Sequence, residues 1–151
     1  MAEVVPARVP AAKPAGLLRR LAAMLYDLFL LVAVLMLATV PFVIARGGEL
    51  VEPADNALYQ LTLFAVIFAY FVGYWSWRGR TLGMQSWGLQ LETPDGKLPR
   101  VGTNCLRFAA ALVSFAPAGL GFWWQLWDPE RLAWHDRLSR TRLKYYPRGK
   151  G

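Results

Sequence analysis

Residues 58–77, LYQLTLFAVIFAYFVGYWSW, form an apolar run without a single charged side chain. A helix needs about 20 such residues to cross a bilayer core of about 30 Å. A second run, residues 21–45, contains only one charge, Asp27, and at about 1.5 Å per residue it can span the core with tilt. Soluble domains do not normally carry such runs. The sequence therefore predicts an all-α polytopic membrane protein with two full transmembrane helices.

The basic residues flank the apolar runs, and this placement predicts the orientation of the chain. Residues 46–57, between the runs, carry one basic residue against three acidic ones, whereas residues 1–20 carry four against one and residues 78–107 carry five against two. Segments rich in Lys and Arg stay in the cytoplasm. A net charge of +7 in a soluble chain would be typical of a nucleic-acid-binding protein. Here it indicates positive-inside topology, and we expect no nucleic-acid partner.

Residues 108–127, FAAALVSFAPAGLGFWWQLW, form a third apolar stretch that conflicts with a simple crossing. A single span would place the seven basic residues of the following tail outside, against the positive-inside bias. Pro117 removes a helical hydrogen bond, and Gly119 and Gly121 weaken the helix further. We therefore expect a broken helical hairpin or a re-entrant segment, with the tail in the cytoplasm. A single span with an external tail is the alternative.

Two short segments outside the apolar runs are predicted to pair as strands. SWGLQLE, from Ser86, alternates apolar and polar side chains before the turn residues of PDG, and TRLKYYP, from Thr141, is the expected partner. Pairing is expected because an isolated strand is rarely stable, so the fold should include a small cytoplasmic β element. Between these strands, Asp128 and Pro129 predict the start of a short helix that carries Asp136.

The chain is predicted to divide into an arm, one domain and a short tail. Residues 1–15 contain three prolines among several alanines and are expected to be disordered. Residues 16–146 form the membrane domain, and residues 147–151 form a basic tail.

Asp27 needs a partner because it lies inside the first apolar run. It follows Arg20 by seven positions, roughly 10 Å along a helix axis, and an uncompensated carboxylate at mid-span costs about 2.5–3.5 kcal/mol. Helical spacing predicts that its face continues as a stripe: Arg20, Ala23, Asp27, Leu31, Val34 and Ala38. The second run offers small residues for close packing against that stripe, at Ala65, Ala69 and Gly73, unless these simply reflect composition.

The charged residues predict a polar network on the cytoplasmic side. Arg107 and the tail arginines are the expected partners of Asp27, and Asp136 is the expected anion for Arg20. The alternative for Asp136 is an exposed tail helix in which it pairs with Arg140, four positions later, for about 0.3–0.5 kcal/mol.

Four motifs together resemble the RDD membrane-protein family: RLAAMLYD from Arg20, RTLGMQSWGLQLETPDG from Arg80, LR at Leu106, and HDRLSRTRL from His135. The resemblance covers about residues 15–146. The Arg and two Asp that name the family correspond to Arg20, Asp27 and Asp136. Arg140 departs from the family pattern, which usually has Gly before the Thr.

This resemblance implies a bacterial inner-membrane protein, with transport of ions or small ligands suggested for the family and cation/proton antiport reported for some members. In a transport protein Asp27 would bind a cation or proton, while Arg20 and Asp136 would gate the cytoplasmic side. Two to four membrane segments are too few to seal a pathway, so transport requires a homo-oligomer or other membrane subunits.

Two other classes of function compete with transport. In an accessory or assembly subunit the network only fixes helix packing, and the basic surface binds partners or anionic lipid. An enzyme is not expected, because adjacent helical residues such as His135 and Asp136 do not face each other. With one Cys and one His the chain is expected to hold no metal site, and it is expected to need no cofactor.

Overall fold

The computed structural model describes residues 12–52, 56–117 and 119–147. The helices are α1 (Leu17–Ala45), α2 (Ala57–Arg78), α3 (Leu82–Ser86), α4 (Val101–Phe115), α5 (Leu120–Trp123) and α6 (Trp134–Leu138), with a 3₁₀ turn at Trp124–Leu126. The strands are β1 (Lys13–Pro14), β2 (Leu89–Glu92) and β3 (Arg142–Tyr145). The protein is mostly helical, as the sequence predicted.

Helices α1 and α2 are each long and apolar enough to cross a membrane, so the two apolar runs form the helices that the sequence predicted. They form an antiparallel pair whose ends far from the sheet are joined by the Thr39 and Tyr59 hydroxyls, 2.9 Å apart. Most of the α1 surface faces outward, since only 6% of its most apolar stretch is buried within the chain. Such an exposed apolar surface is expected for a helix that contacts lipid.

The three strands form one antiparallel sheet in the order β1-β3-β2. The predicted pairing of β2 with β3 is present, with Leu91 opposite Leu143. Strand β1 is a difference from the sequence analysis, because residues 13–14 were expected to belong to a disordered arm. Their backbone groups pair with the free edge of β3, which gives the arm an ordered end. The rest of the arm, residues 1–11, and residues 148–151 of the basic tail lie outside the described residues.

The buried core lies where the sheet meets the helices. Leu89, Leu91 and Leu143 of the sheet are nearly inaccessible and pack with apolar side chains from three helices, which are Ala23, Val72, Trp75 and Phe108. The sheet therefore lies against the N-terminal end of α1 and the C-terminal end of α2.

The third apolar stretch is broken. Helix α4 ends at Phe115, and the segment Leu120–Leu126 continues at an angle of 107° to it. Pro117 and Gly119, with a φ of +76°, lie at the bend. Strand β2 precedes this stretch and strand β3 follows it, and the two strands are paired. Both ends of the stretch therefore connect to strands of the same sheet, and the bend fits either a re-entrant segment or a broken span.

The helix expected to begin at Asp128 begins later, and this prediction is wrong. Helix α6 begins at Trp134 with Ala133 as N-cap. Asp128 instead accepts a hydrogen bond from the Leu132 N–H at 2.9 Å and pairs with Arg137, which closes a turn. Because the chain passes through a positive φ of 55° at Arg131, it cannot form a continuous helix there.

The predicted contact faces of the two spans are only partly correct. On α1 the stripe Arg20, Ala23, Asp27 and Leu31 is buried, whereas Val34 is exposed and Ala38 is only half-buried. On α2 the small-residue stripe of Ala65, Ala69 and Gly73 faces outward, so that packing prediction is wrong. The buried side chains of α2 are instead Tyr59, Tyr70, Val72 and Trp75. The inward face of α2 is therefore largely aromatic, and its Tyr70 hydroxyl donates a hydrogen bond to Asp27.

The position where the family usually has Gly has a backbone conformation that favours Gly. Arg140 has a φ of +49° and an exposed side chain. A residue with a Cβ is destabilised by roughly 1–2 kcal/mol in this left-handed region, and Gly avoids that cost. Gly also makes the unfolded chain more flexible, which offsets part of the gain in stability. We expect Arg140→Gly to raise the free energy of unfolding by about 0.5–1 kcal/mol in a detergent denaturation titration. Arg140→Ala removes the charge but keeps the Cβ, so it should leave the free energy of unfolding unchanged. Equal gains in both variants would contradict this explanation.

Candidate functional site: two buried polar clusters

Asp136 lies between two buried arginines. Arg20 donates from Nη1 to Asp136 Oδ2 at 2.6 Å, and Arg107 donates from Nη1 to Oδ1 at 2.6 Å. The side chains of the two arginines are 3% exposed and that of Asp136 is fully buried. We call these three residues the Asp136 cluster. The expected contact between Arg20 and Asp136 is present, and the alternative pair of Asp136 with Arg140 is not.

The Asp136 cluster joins α1, α4, α6 and the residue that precedes β3. Arg20, in the first turn of α1, also donates to the carbonyls of Ala15 and Arg131, each at 3.3 Å. Arg107, on α4, also donates to the Thr141 hydroxyl at 2.6 Å, just before β3. Asp136 Oδ2 accepts from the Ala133 N–H at 3.1 Å and so caps the helix that carries it. One carboxylate therefore holds the C-terminal segment against both α1 and α4.

The Asp136 cluster carries one excess positive charge. Burial alone would raise the pKa of Asp136, but the charges of Arg107 and Arg20 hold it well below its usual value of 3.8. His135 lies beside the cluster, with Nε2 3.6 Å from Asp136 Oδ1. Burial, together with the charge of Arg107, lowers the pKa of His135 to about 3, so it is neutral at pH 7. Two guanidinium groups therefore share one carboxylate, and one positive charge has no negative counterpart in the cluster.

Asp27 forms a separate cluster in which all described partners are neutral. It accepts hydrogen bonds from the Tyr70 hydroxyl at 2.8 Å, the Thr81 hydroxyl at 2.5 Å and the Gly83 N–H at 2.8 Å. We call these four residues the Asp27 cluster. The expected partners of Asp27, Arg107 and the tail arginines, do not contact it within the described residues. Arg107 is held by Asp136 instead, and Asp27 receives two donors from the start of α3 and one from Tyr70 of α2.

The sequence analysis missed the three donors to Asp27. Thr81 is the N-cap of α3, where its hydroxyl donates to Asp27 and accepts from the Met84 N–H at 3.2 Å. The close contact of α3 with α1 requires a glycine at position 83. A Cβ on Gly83 would lie 2.2 Å from the carbonyl oxygen of Ala23. Thr81 was the available signal in the sequence, because Thr is a favoured N-cap residue. It indicates a helix start, but it does not indicate which carboxylate that start will meet.

A cavity of about 490 Å³ lies between α1, α2 and α4 and borders both clusters. Its lining is mostly apolar, with Arg20, Asp27, Arg107 and His135 as the charged or titratable residues. Among the described residues no group of three or more His, Cys, Asp or Glu side chains could hold a metal ion.

Two apolar helices long enough to span a bilayer, with a broken third apolar segment, indicate an integral membrane protein. A family model described as "RDD family" matches residues 14–140. The chain belongs to the RDD family, as its motifs indicated. No curated protein and no solved structure matches it.

Proposed function

We propose that this RDD protein is a non-catalytic accessory or assembly subunit of the membrane. The observation that carries this proposal is the set of three hydrogen bonds that the Asp27 carboxylate accepts. Their donors are Tyr70, Thr81 and Gly83. A carboxylate that binds a cation must exchange its ligands, and this one is held by a backbone amide and two hydroxyls. Such a network fixes the packing of α1, α2 and α3 and occupies three of the about four acceptor positions of the carboxylate, so a cation that binds tightly has to displace these donors.

We place the protein in the bacterial inner membrane with the sheet in the cytoplasm. This placement is supported by the basic residues at the sheet end and by the excess of acidic over basic residues in the sequence that connects α1 to α2. The partners proposed are the lipid bilayer and either further copies of the chain or other membrane subunits.

Cation/proton exchange by an oligomer is the second candidate. The observation that favours it is the position of Asp27 at the wall of the cavity, because an intramembrane carboxylate beside a cavity is a common ion-binding arrangement. The two proposals differ in one measurable property, which is ion flux by the purified protein.

Flux measured in proteoliposomes separates the two candidates. We expect the native protein to give no proton movement above empty liposomes when Na⁺, K⁺ or Li⁺ gradients are applied, because three hydrogen bonds already hold the carboxylate of Asp27. Asp27→Asn and the exposed control Asp95→Asn should give the same result at equal amounts of folded protein. Cation-driven flux that is present in the native protein and in Asp95→Asn, but lost in Asp27→Asn, would contradict the accessory role and establish transport.

A further inference from the structure

The cavity between α1, α2 and α4 is polar at one end and, apart from Asp27, apolar along the rest of its length. Arg20, Arg107 and His135 line it at the sheet end, whereas Leu31 and Ile67 line it farther from the sheet. Its volume of about 490 Å³ is within the range of about 300–1,000 Å³ that is typical of ligand sites. A ligand that fits this lining has a polar head and an apolar body.

Among the described residues, the polar end of the cavity has one negative charge fewer than it has positive charges. The Asp136 cluster has two positive charges against one negative charge, and His135 beside it is neutral at pH 7. Arg107 Nε and His135 Nδ1 are buried without a hydrogen-bond partner in the described part of the chain. Asp27 also lines the cavity, but it lies seven residues beyond Arg20, roughly 10 Å along α1, and takes three hydrogen bonds of its own. A buried excess charge is costly unless an anion compensates it.

The length of the cavity matches one leaflet of a bilayer. Along α1 its lining runs from Arg20 to Leu31, which is 11 residues and roughly 16 Å. Half of a hydrocarbon core of about 30 Å is nearly the same length. The charged end lies close to the sheet, at the depth where α1 leaves the apolar region and where a lipid head group would be.

We propose that this cavity binds one anionic phospholipid of the surrounding bilayer. One acyl chain lies along α1 between the three helices, and the head-group phosphate lies against Arg107. The phosphate supplies the negative charge that the Asp136 cluster lacks, and the chain covers apolar side chains that the helices leave open. The lipid phosphate thereby contacts Arg107, whose partner Asp136 belongs to the C-terminal segment.

Native mass spectrometry of delipidated protein in detergent tests this proposal. The protein is incubated separately with phosphatidylglycerol, phosphatidylcholine and palmitate. We expect retention of one phosphatidylglycerol per chain, at least tenfold above phosphatidylcholine or palmitate. Ala111→Phe fills the cavity and should lower that retention at least tenfold, because Ala111 lines it. Ala109→Phe is the matched control, since Ala109 is exposed on α4 and does not line the cavity, and it should retain the native value.

A charge variant tests the polar end without changing the apolar lining. Arg107→Gln leaves Arg20 paired with Asp136 and should abolish the preference for phosphatidylglycerol over phosphatidylcholine. Equal retention of the two phospholipids by the native protein would overturn the proposal, as would phosphatidylglycerol retention that Ala111→Phe does not change. Preferential retention of palmitate would assign the site to a free fatty acid and overturn the phospholipid assignment. These outcomes do not depend on whether the protein conducts ions.

Discussion

Replacing Asp136 by Asn is expected to lower the free energy of unfolding by about 3–5 kcal/mol. The substitution keeps the shape of the side chain but removes its charge. Arg20 and Arg107, both 3% exposed, would then remain buried with no negative partner between them. The measurement is a denaturation titration in detergent micelles, followed by circular dichroism. Glu130→Gln is the control, because the ion pair of Glu130 with Arg142 is about half exposed and should contribute less than about 1 kcal/mol.

The charge balance of the cluster also predicts an order of effects. Asp136→Asn raises the excess positive charge from one to two, whereas Arg20→Met lowers it to zero. Arg20→Met still loses the hydrogen bonds to Ala15 and Arg131, so it is expected to destabilise the fold, but by less than Asp136→Asn. An equal or larger effect of Arg20→Met would contradict the conclusion that Asp136 is the residue on which both arginines depend.

Gly83→Ala is expected to lower the free energy of unfolding by at least about 2 kcal/mol. The added Cβ would lie 2.2 Å from the Ala23 carbonyl oxygen and 2.7 Å from Asp27 Cγ. Both contacts are too short, so α3 must move away from α1. Asp27 would then lose the Gly83 N–H and the Thr81 hydroxyl while remaining buried. The cost combines steric strain with an unsatisfied carboxylate.

Gly73→Ala is the matched control for this prediction. Gly73 lies within α2, and a Cβ there would meet no atom within 4 Å. Ala is the better helix former, so this variant should be as stable as the native protein or gain about 0.5–1 kcal/mol. If both glycine variants had the same stability in the detergent titration, close contact between α3 and α1 would not be what requires Gly83.

The parts of the fold that could be predicted from the sequence are those that local patterns determine. Apolar length predicts α1 and α2, and alternation predicts β2. The position of Asp27 inside an apolar run shows that it needs partners. The contact of Arg20 with Asp136 was expected from the cytoplasmic placement of the tail and from the resemblance to the family, because 116 residues separate the two in sequence and no local pattern connects them.

The remaining features depend on tertiary contacts. Helix α2 is apolar on all sides because lipid faces it as well as protein, so periodicity does not distinguish its inner face from its outer face. The donors to Asp27 come from the start of α3, a helix of five residues whose docking no local pattern predicts. Helix α6 begins late because Asp128 pairs with Arg137 and the Leu132 N–H and closes a turn instead of capping a helix.

Hydrogen exchange in the Asp136→Asn variant tests most directly whether this carboxylate holds the C-terminal segment against the membrane helices. Amide exchange is measured in detergent below the unfolding midpoint, with Glu130→Gln beside it. We predict that α6 and β3 lose protection in Asp136→Asn, whereas the middle of α1 and α2 keeps it, because their backbone bonds do not depend on the cluster. Unchanged protection of α6 and β3 in Asp136→Asn would contradict this account.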